Sequence, residues 1–199
     1  MEMPAEEVVG VVLAGGQSRR MGRDKGMLTF GRETLVERAA RRLAGQVGRV
    51  IISANGDRAR YEPLGLPIVP DAIADCGPLG GLHAALTWTA NAGLSHVLTV
   101  ACDTPFFPLD LAPRLASAML EGDAEIGIAR SGGRDHYAFL LHPVRLRFAL
   151  EQHLAGSENR SIRGWLAQHR TAFVEFEGEP DPFFNVNTPA DLATLAERG

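Results

Sequence analysis

A chain of 199 residues, 45% hydrophobic and 22% charged, is long enough to bury one core and short for two, so a single domain spanning residues 1–199 is expected. Its formal net charge of -4 at pH 7 excludes the basic footprint of a general nucleic-acid or membrane-surface binder, so its cations must act locally. The amino terminus has no charged-then-apolar signal pattern, Cys76 and Cys102 form no Cys-x-x-Cys pair, and no apolar run reaches the roughly 20 residues that span a bilayer. A cytoplasmic chain in a reducing compartment is the expectation.

Short apolar runs alternate with segments of helical period, the pattern of a mostly parallel sheet covered on both faces by crossover helices: a three-layer, Rossmann-like α/β fold. The first run, Val8 to Leu13, leads straight into Leu13-Ala14-Gly15-Gly16-Gln17-Ser18-Arg19-Arg20-Met21-Gly22-Arg23-Asp24-Lys25-Gly26. Adjacent glycines at a strand exit let the backbone bend and turn bare N–H groups toward phosphate oxygens, and Arg19, Arg20, Arg23 and Lys25 supply neutralising charge. A plain turn with solvated cations is the competing reading. The density of glycine and positive charge at the carboxyl end of a strand, where open α/β sheets bind ligands, favours a polyphosphate site. The segment is neither a Walker loop nor a Gly-x-Gly-x-x-Gly dinucleotide fingerprint.

Leu35, Ala39 and Leu43, with Val36 and Ala40 beside them, predict a helix whose Arg38, Arg41 and Arg42 form a solvated face. Strands follow at Arg49 to Ala54, Pro67 to Pro70 and Ser95 to Ala101, with a helix between the last two marked by Leu79, Leu82 and Leu86. That helix opens from Cys76-Gly77-Pro78-Leu79-Gly80-Gly81, whose glycines serve either ligand-facing N–H groups or close helix packing. Asp110 caps a further helix burying Leu111, Leu115 and Met119. Beyond it, Ile126 to Ala129 and Tyr137 to Leu141 read as a local antiparallel pair joined by a tight turn at Ser131 to Asp135, the added antiparallel portion of the sheet. Helices at Val144 to Leu154 and Ser161 to His169, a strand at Phe173 to Phe176 and a last helix opening at Thr188-Pro189-Ala190-Asp191 complete the chain.

Several polar residues stand just past strand ends. Asp103, after Val100-Ala101-Cys102, is the first choice of ligand for magnesium on a triphosphate, because that ion takes one or two protein carboxylates plus phosphate and water. A cap on the turn before Thr104-Pro105 is the alternative. Asn55 and Asp71 end two other strands, and if these run parallel all three side chains approach the glycine loop, in reach of a base, a ribose and a metal. Asn185 and Asn187 flank Val186 and point the same way if extended, toward an acceptor or a metal-bound phosphate, or else shape the turn before the last helix. Arg134, Asp135 and His136 meet an acceptor or form an exposed hairpin tip. The six histidines show no zinc-ligand spacing, and Ser18 lacks the setting of a nucleophile. Cys102 reads as a small buried residue.

Taken together, Leu13 through Gly22, Asp24-Lys25-Gly26, Cys102-Asp103-Thr104-Pro105 and Asn185-Val186-Asn187-Thr188-Pro189 resemble the molybdenum cofactor guanylyltransferase family, in order and over nearly the whole chain. The first of these is shared with other nucleotidyltransferases of the same fold, and the others narrow the likeness. The resemblance implies transfer of GMP from GTP to the phosphate of Mo-molybdopterin, with release of pyrophosphate and a requirement for Mg2+. Carried over residue by residue, it implies GTP contacts from Leu13, Ala14, Gly15, Gly16, Lys25, Asn55, Asp71 and Asp103, with Asp103 also on the metal. Arg19, Lys25 and Asp103 would carry the catalytic charge, and Asn185 and Asn187 would face the pterin acceptor. It further implies transient contact with molybdopterin-handling proteins or molybdoenzyme chaperones. Tyr137 departs from the family pattern, which has a proline-like position there. Rival readings are cytidylyl or sugar-phosphate nucleotidyl transfer on the same fold, or a non-catalytic GTP-binding cofactor carrier.

Overall fold

A computed structural model describes residues 3–14, 25–71, 73, 76–157, 159–188 and 190–191. Gly15, Gly16 and Arg19, and all but the opening of the last expected helix, lie outside the described residues. The elements are, in order, β1 (Val8–Leu13), β2 (Thr29–Phe30), β3 (Glu33–Thr34), α1 (Leu35–Ala44), β4 (Arg49–Ser53), β5 (Ile68–Val69), α2 (Pro78–Asn91), β6 (His96–Ala101), α3 (Leu111–Glu121), β7 (Ile126–Ser131), β8 (Arg134–Pro143), α4 (Arg147–Gly156), α5 (Ile162–Leu166) and β9 (Thr171–Glu175).

A seven-stranded sheet in the order β5-β4-β1-β6-β8-β7-β9 forms the middle layer, and β2 and β3 make a separate small hairpin. The strands are parallel except for β8, which runs antiparallel to both neighbours, β6 and β7. The tight β7–β8 connection makes this direction obligatory, since a parallel neighbour would need a crossover. Gly132 and Gly133 alone link the paired Ser131 and Arg134, at φ +53° and +73°, the two positive values that a two-residue type I′ turn requires.

Strand alternation divides the core. Val8 and Val12 of β1 face α1 and α3 with Val36, Ala39, Leu43, Leu111 and Leu115, while Val9 and Val11 face α2, α4 and α5 with Leu79, Leu82, Leu86, Leu150 and Trp165. The expected three layers are therefore present. Thr34 begins α1 with a full capping box: its side chain accepts from the Glu37 N–H while Glu37 reaches back to the Thr34 N–H.

Several details differ from expectation; Asp110, for one, precedes α3 but makes no side-chain cap bond. The helix anticipated over 161–169 is confined to Ile162–Leu166, where Gly164 is a weak helix former and burial of Trp165 and Leu166 anchors the turn. The last strand starts at Thr171 and ends before Phe176, because its register follows β7 from Ile126 onward. The arginines of α1 are not a solvated face: Arg41 is exposed but paired with Glu33, and Arg38 and Arg42 are largely covered by the chain that follows Asp103.

Close seating of α1 on the sheet depends on Gly10 in mid-β1. A Cβ there would stand 2.9 Å from Val47 Cγ2 and 3.0 Å from Leu43 Cδ1. Gly10→Val is expected to overpack this contact and lower the unfolding free energy by about 1–3 kcal/mol, read as a lower urea midpoint at unchanged m-value.

Candidate active site

Register at the carboxyl ends of the parallel strands builds the site. Leu13 pairs with Ser53 on one side and Ala101 on the other. Ala14 N–H donates to Ser53 O at 2.9 Å, Cys102 N–H to Leu13 O at 3.3 Å and Ala54 N–H to Val69 O at 3.2 Å. Ala14, Asn55, Asp71 and Asp103 consequently leave the sheet at one rim. The exits of β4 and β6, on either side of β1, are about 10 Å apart, two strand spacings. That is a span suited to a nucleotide, with its base and its phosphates at opposite ends.

On the β6 side, Lys25, Asp103 and Asn187 meet. Lys25 Nζ donates to Asn187 Oδ1 at 2.7 Å and lies 3.7 Å from Asp103 Oδ2. The backbone locks the same residues together, for Val186 N–H donates to Asp103 O at 2.7 Å. Thr104 Oγ1 donates to Asn185 Oδ1 at 2.6 Å. Of the two amides, Asn187 thus faces the lysine and the carboxylate, while Asn185 is bound to the turn after Asp103. Asp191 accepts the backbone N–H groups of Asn187 and Thr188, both at 2.7 Å, and Thr188 Oγ1 accepts from the Asp191 N–H at 3.2 Å. Thr188 is therefore the expected N-cap, and Asp191 has a second role as a clamp on Asn187.

On the β4 side, Asn55 Nδ2 donates to Asp71 Oδ2 at 2.8 Å and the Asp71 N–H donates back to Asn55 Oδ1 at 2.9 Å. This closed pair sits against the start of α2. A Cβ on Gly80 would stand 3.1 Å from Asp71 Oδ2, and one on Gly81 2.7 Å from Ser53 Oγ. Close packing thus accounts for these two glycines, and their lack of side chains lets the helix start approach the pair.

The Arg134-Asp135-His136 segment is mostly committed elsewhere. Asp135 Oδ1 accepts from Arg130 Nε at 2.7 Å. The His136 ring stacks on Phe183 at 4.4 Å and 25°, and its Nε2 lies 2.9 Å from Ser131 Oγ, which donates to Asp181 Oδ1 at 2.7 Å. With that hydroxyl proton on Asp181, His136 Nε2 is the protonated nitrogen of this pair. Only Arg134 of the three is exposed at the tip.

Asp103 is the described carboxylate within ion-pair distance of Lys25, and Asp191, behind Asn187, also feels its charge. Among the described residues no group of three or more His, Cys, Asp or Glu side chains could form a metal cage. A single hard carboxylate beside the Lys25 ammonium fits a divalent ion that draws its other ligands from substrate and water.

The sequence matches the family model described as MobA-like NTP transferase domain over residues 10–172. It is 45% identical over 200 residues to the molybdenum cofactor guanylyltransferase of Rhizobium leguminosarum bv. trifolii, covering 96% of this chain and 92% of the relative. The fold resembles the crystal structure of molybdopterin-guanine dinucleotide biosynthesis protein A from Archaeoglobus fulgidus, at TM-score 0.75 and 20% identity, over 96% of this chain and 97% of that one. It also resembles 4-diphosphocytidyl-2C-methyl-D-erythritol synthase from Anaerococcus prevotii, at TM-score 0.74 and 11% identity, over 96% of this chain and 95% of that one.

Burial, the largest influence, pushes the Asp103 carboxyl above its ordinary 3.8 against the opposing pull of Lys25. The native state then keeps this proton at pH values where the unfolded chain has lost it. The contribution of Asp103 to stability must fall as pH rises from 3.8 through the raised native value. Asp103→Asn cannot lose that proton and is expected to gain on the parent as pH rises through this window, measured by paired urea midpoints across a pH series.

Proposed function

Because the chain belongs to the molybdenum cofactor guanylyltransferase family, within the MobA-like NTP transferases, we propose that its rim cluster transfers GMP from GTP to the phosphate of Mo-molybdopterin. The products are the molybdopterin guanine dinucleotide cofactor and pyrophosphate. The observation that carries the site assignment is the meeting of Lys25, Asp103 and Asn187 at the end of β6, each brought there by a different part of the chain.

In this reading Leu13 and Ala14 present backbone to the nucleotide, and Asn55 and Asp71 contact its nucleoside end. Gly15, Gly16, Arg19 and Lys25 receive the phosphates. Asp103 holds magnesium, which when bound neutralises charge on the triphosphate. Asn185 and Asn187 line the acceptor side. A phosphate oxygen of the acceptor bonds to the α-phosphorus in line as the bond to the bridging oxygen of the β-phosphate breaks, and that electron pair leaves with pyrophosphate. Lys25 and Arg19 stabilise the charge that grows on the departing group. No strong general base is required, because a phosphate monoester with its second pKa near 6 is already largely ionised at neutral pH.

The acceptor side is open to Arg134, while Asp135 is bound to Arg130 and Tyr137 and His136 Nε2 to Ser131. The product is handed to a molybdoenzyme or its chaperone in the cytoplasm. No helix among the described residues is long and apolar enough to cross a membrane.

The test is pyrophosphate release from GTP and from CTP with magnesium and Mo-molybdopterin, with the dinucleotide product identified by mass. GTP is expected to support turnover and CTP to fail. Asp103→Ala should lower kcat by at least about a hundredfold, the scale of removing a preorganised charge-stabilising group. CTP turnover equal to that with GTP would point to a cytidylyl enzyme, and tight GTP binding without pyrophosphate release would point to a carrier.

A further inference from the structure

The segments that carry Lys25 and Asp103 are joined below the rim by contacts outside both residues. Lys25 opens a 3-10 turn, with Leu28 N–H donating to Lys25 O at 3.0 Å, and the chain then forms the β2–β3 hairpin. Asp103 is followed within three residues by Phe106. Both segments meet the first two turns of α1, at Leu35 and at Arg38.

The guanidinium carbon of Arg38 lies 5.0 Å from the centroid of Phe30 on the hairpin and 4.5 Å from that of Phe106. The two rings are edge to face, 5.4 Å apart at 86°. Arg38 Nη1 donates to Glu33 Oε1 at 2.7 Å, while buried Nε has no hydrogen-bond partner among the described residues, so that edge of the cation is in contact with aromatic surface. Beneath the rings, fully buried Leu35 and Val186 pack with Leu28, Phe30 and Phe106. Val186 is the residue between Asn185 and Asn187. The three segments that carry Lys25, Asp103 and Asn187 thus share one small core, and Arg38 closes it.

The next positions along this line of α1 continue the grip. Arg42 Nε donates to Phe107 O at 2.8 Å, and its Nη2 donates to the carbonyls of Phe106 and Phe107. Gln46, buried just past the helix, donates to Pro108 O at 3.1 Å and accepts from the Ala112 N–H at 3.0 Å. Arg42 and Gln46 fix the loop between β6 and α3 as a whole, whereas Arg38, with Leu35 beneath it, joins that loop to the hairpin that follows Lys25.

We propose that Arg38 is a positioning residue: by gripping Phe30, Glu33 and Phe106 at once, it sets the reach of Lys25 to Asp103 and thereby the rate of nucleotidyl transfer. This rests on the reading of Lys25 and Asp103 as the groups that act on the triphosphate. A lysine cannot replace it fully, because an ammonium lacks the flat face that stacks on two rings while bonding a carboxylate.

The experiment compares the parent with Arg38→Met, Arg38→Lys and Glu33→Gln, using pyrophosphate release with GTP, magnesium and Mo-molybdopterin. GTP affinity without acceptor is measured by calorimetry, and folding by thermal melts. Arg38→Met is expected to lower kcat about tenfold to a hundredfold, the cost of displacing reacting groups by about an ångström. The number of GTP sites should stay the same and GTP affinity should fall by less than kcat, since the nucleoside contacts are on the far side of β1. Arg38→Lys should recover part of the loss. If Arg38→Met does not fold, Glu33→Gln, which leaves the rings in place, should still lower kcat by more than GTP affinity.

A folded Arg38→Met with kcat within about twofold of the parent, or a loss matched by an equal loss of GTP sites, overturns the proposal. So does an unchanged kcat in Glu33→Gln if that is the only folded variant. Asp103→Ala separates the two readings: full activity there removes the functional assignment itself, whereas an inactive Asp103→Ala beside normal Arg38 variants removes only this inference.

Discussion

The parallel pairing of β1 with β4 on one side and β6 on the other is the constraint from which the rest of the molecule's chemistry follows. Because Leu13 is level with both Ser53 and Ala101, residues one or two places past each strand end come out at a common height. None of these side chains needs a long reach. Asn55, Asp71 and Asp103 are short, and a slip of one residue in either register would turn their neighbours' core side chains to the wrong face. Buried packing on both sides of the sheet therefore protects the alignment of the site.

Asp103 shows what this alignment costs. A carboxylate is held in a partly desolvated corner where the opposing ion pair with Lys25 does not fully offset the loss of water. The lysine is itself shared, at a shorter distance, with the neutral oxygen of Asn187. An arrangement optimised for stability alone would draw Lys25 into a short bond with Asp103. Leaving the carboxylate without so close a cation preserves its capacity to take another positive partner.

Much of this was legible in the sequence, for reasons that can be named. Strands buried on both faces declare themselves as Val and Ile runs, so β1, β4 and β6 could be located to within a residue, and with them the positions of Asn55 and Asp103. The β7–β8 pair was legible from two strand-like runs and the short glycine-bearing link between them. The β2–β3 hairpin was not, since two-residue strands carry no periodicity. Nor was the role of the α1 arginines: a helix face lined with Arg38, Arg41 and Arg42 has the same pattern whether it meets water or backbone carbonyls. What distinguishes the cases is a distant segment, residues 106–108, that supplies the acceptors and rings. Asp191, by contrast, acts locally: it accepts the N–H groups of Asn187 and Thr188 four and three residues before it, at the start of the last helix.

The reversed direction of β8 has a consequence for the acceptor side. Since β8 runs against β6, its first residues pass the same rim at which β6 ends, so the Arg134–Tyr137 stretch stands beside the segment leading to Asn185. Asp181, Ser131 and His136 form one hydrogen-bonded chain there, and the rings of Phe139, Phe176 and Phe183 pack beneath it. Burial lowers the His136 pKa, which favours the neutral ring that can lie flat on Phe183. This wall is therefore rigid and already satisfied. Asp135 and His136 Nε2 can turn toward an incoming molecule only by giving up bonds to Arg130, Tyr137 or Ser131, whereas Arg134 at the hairpin tip is exposed.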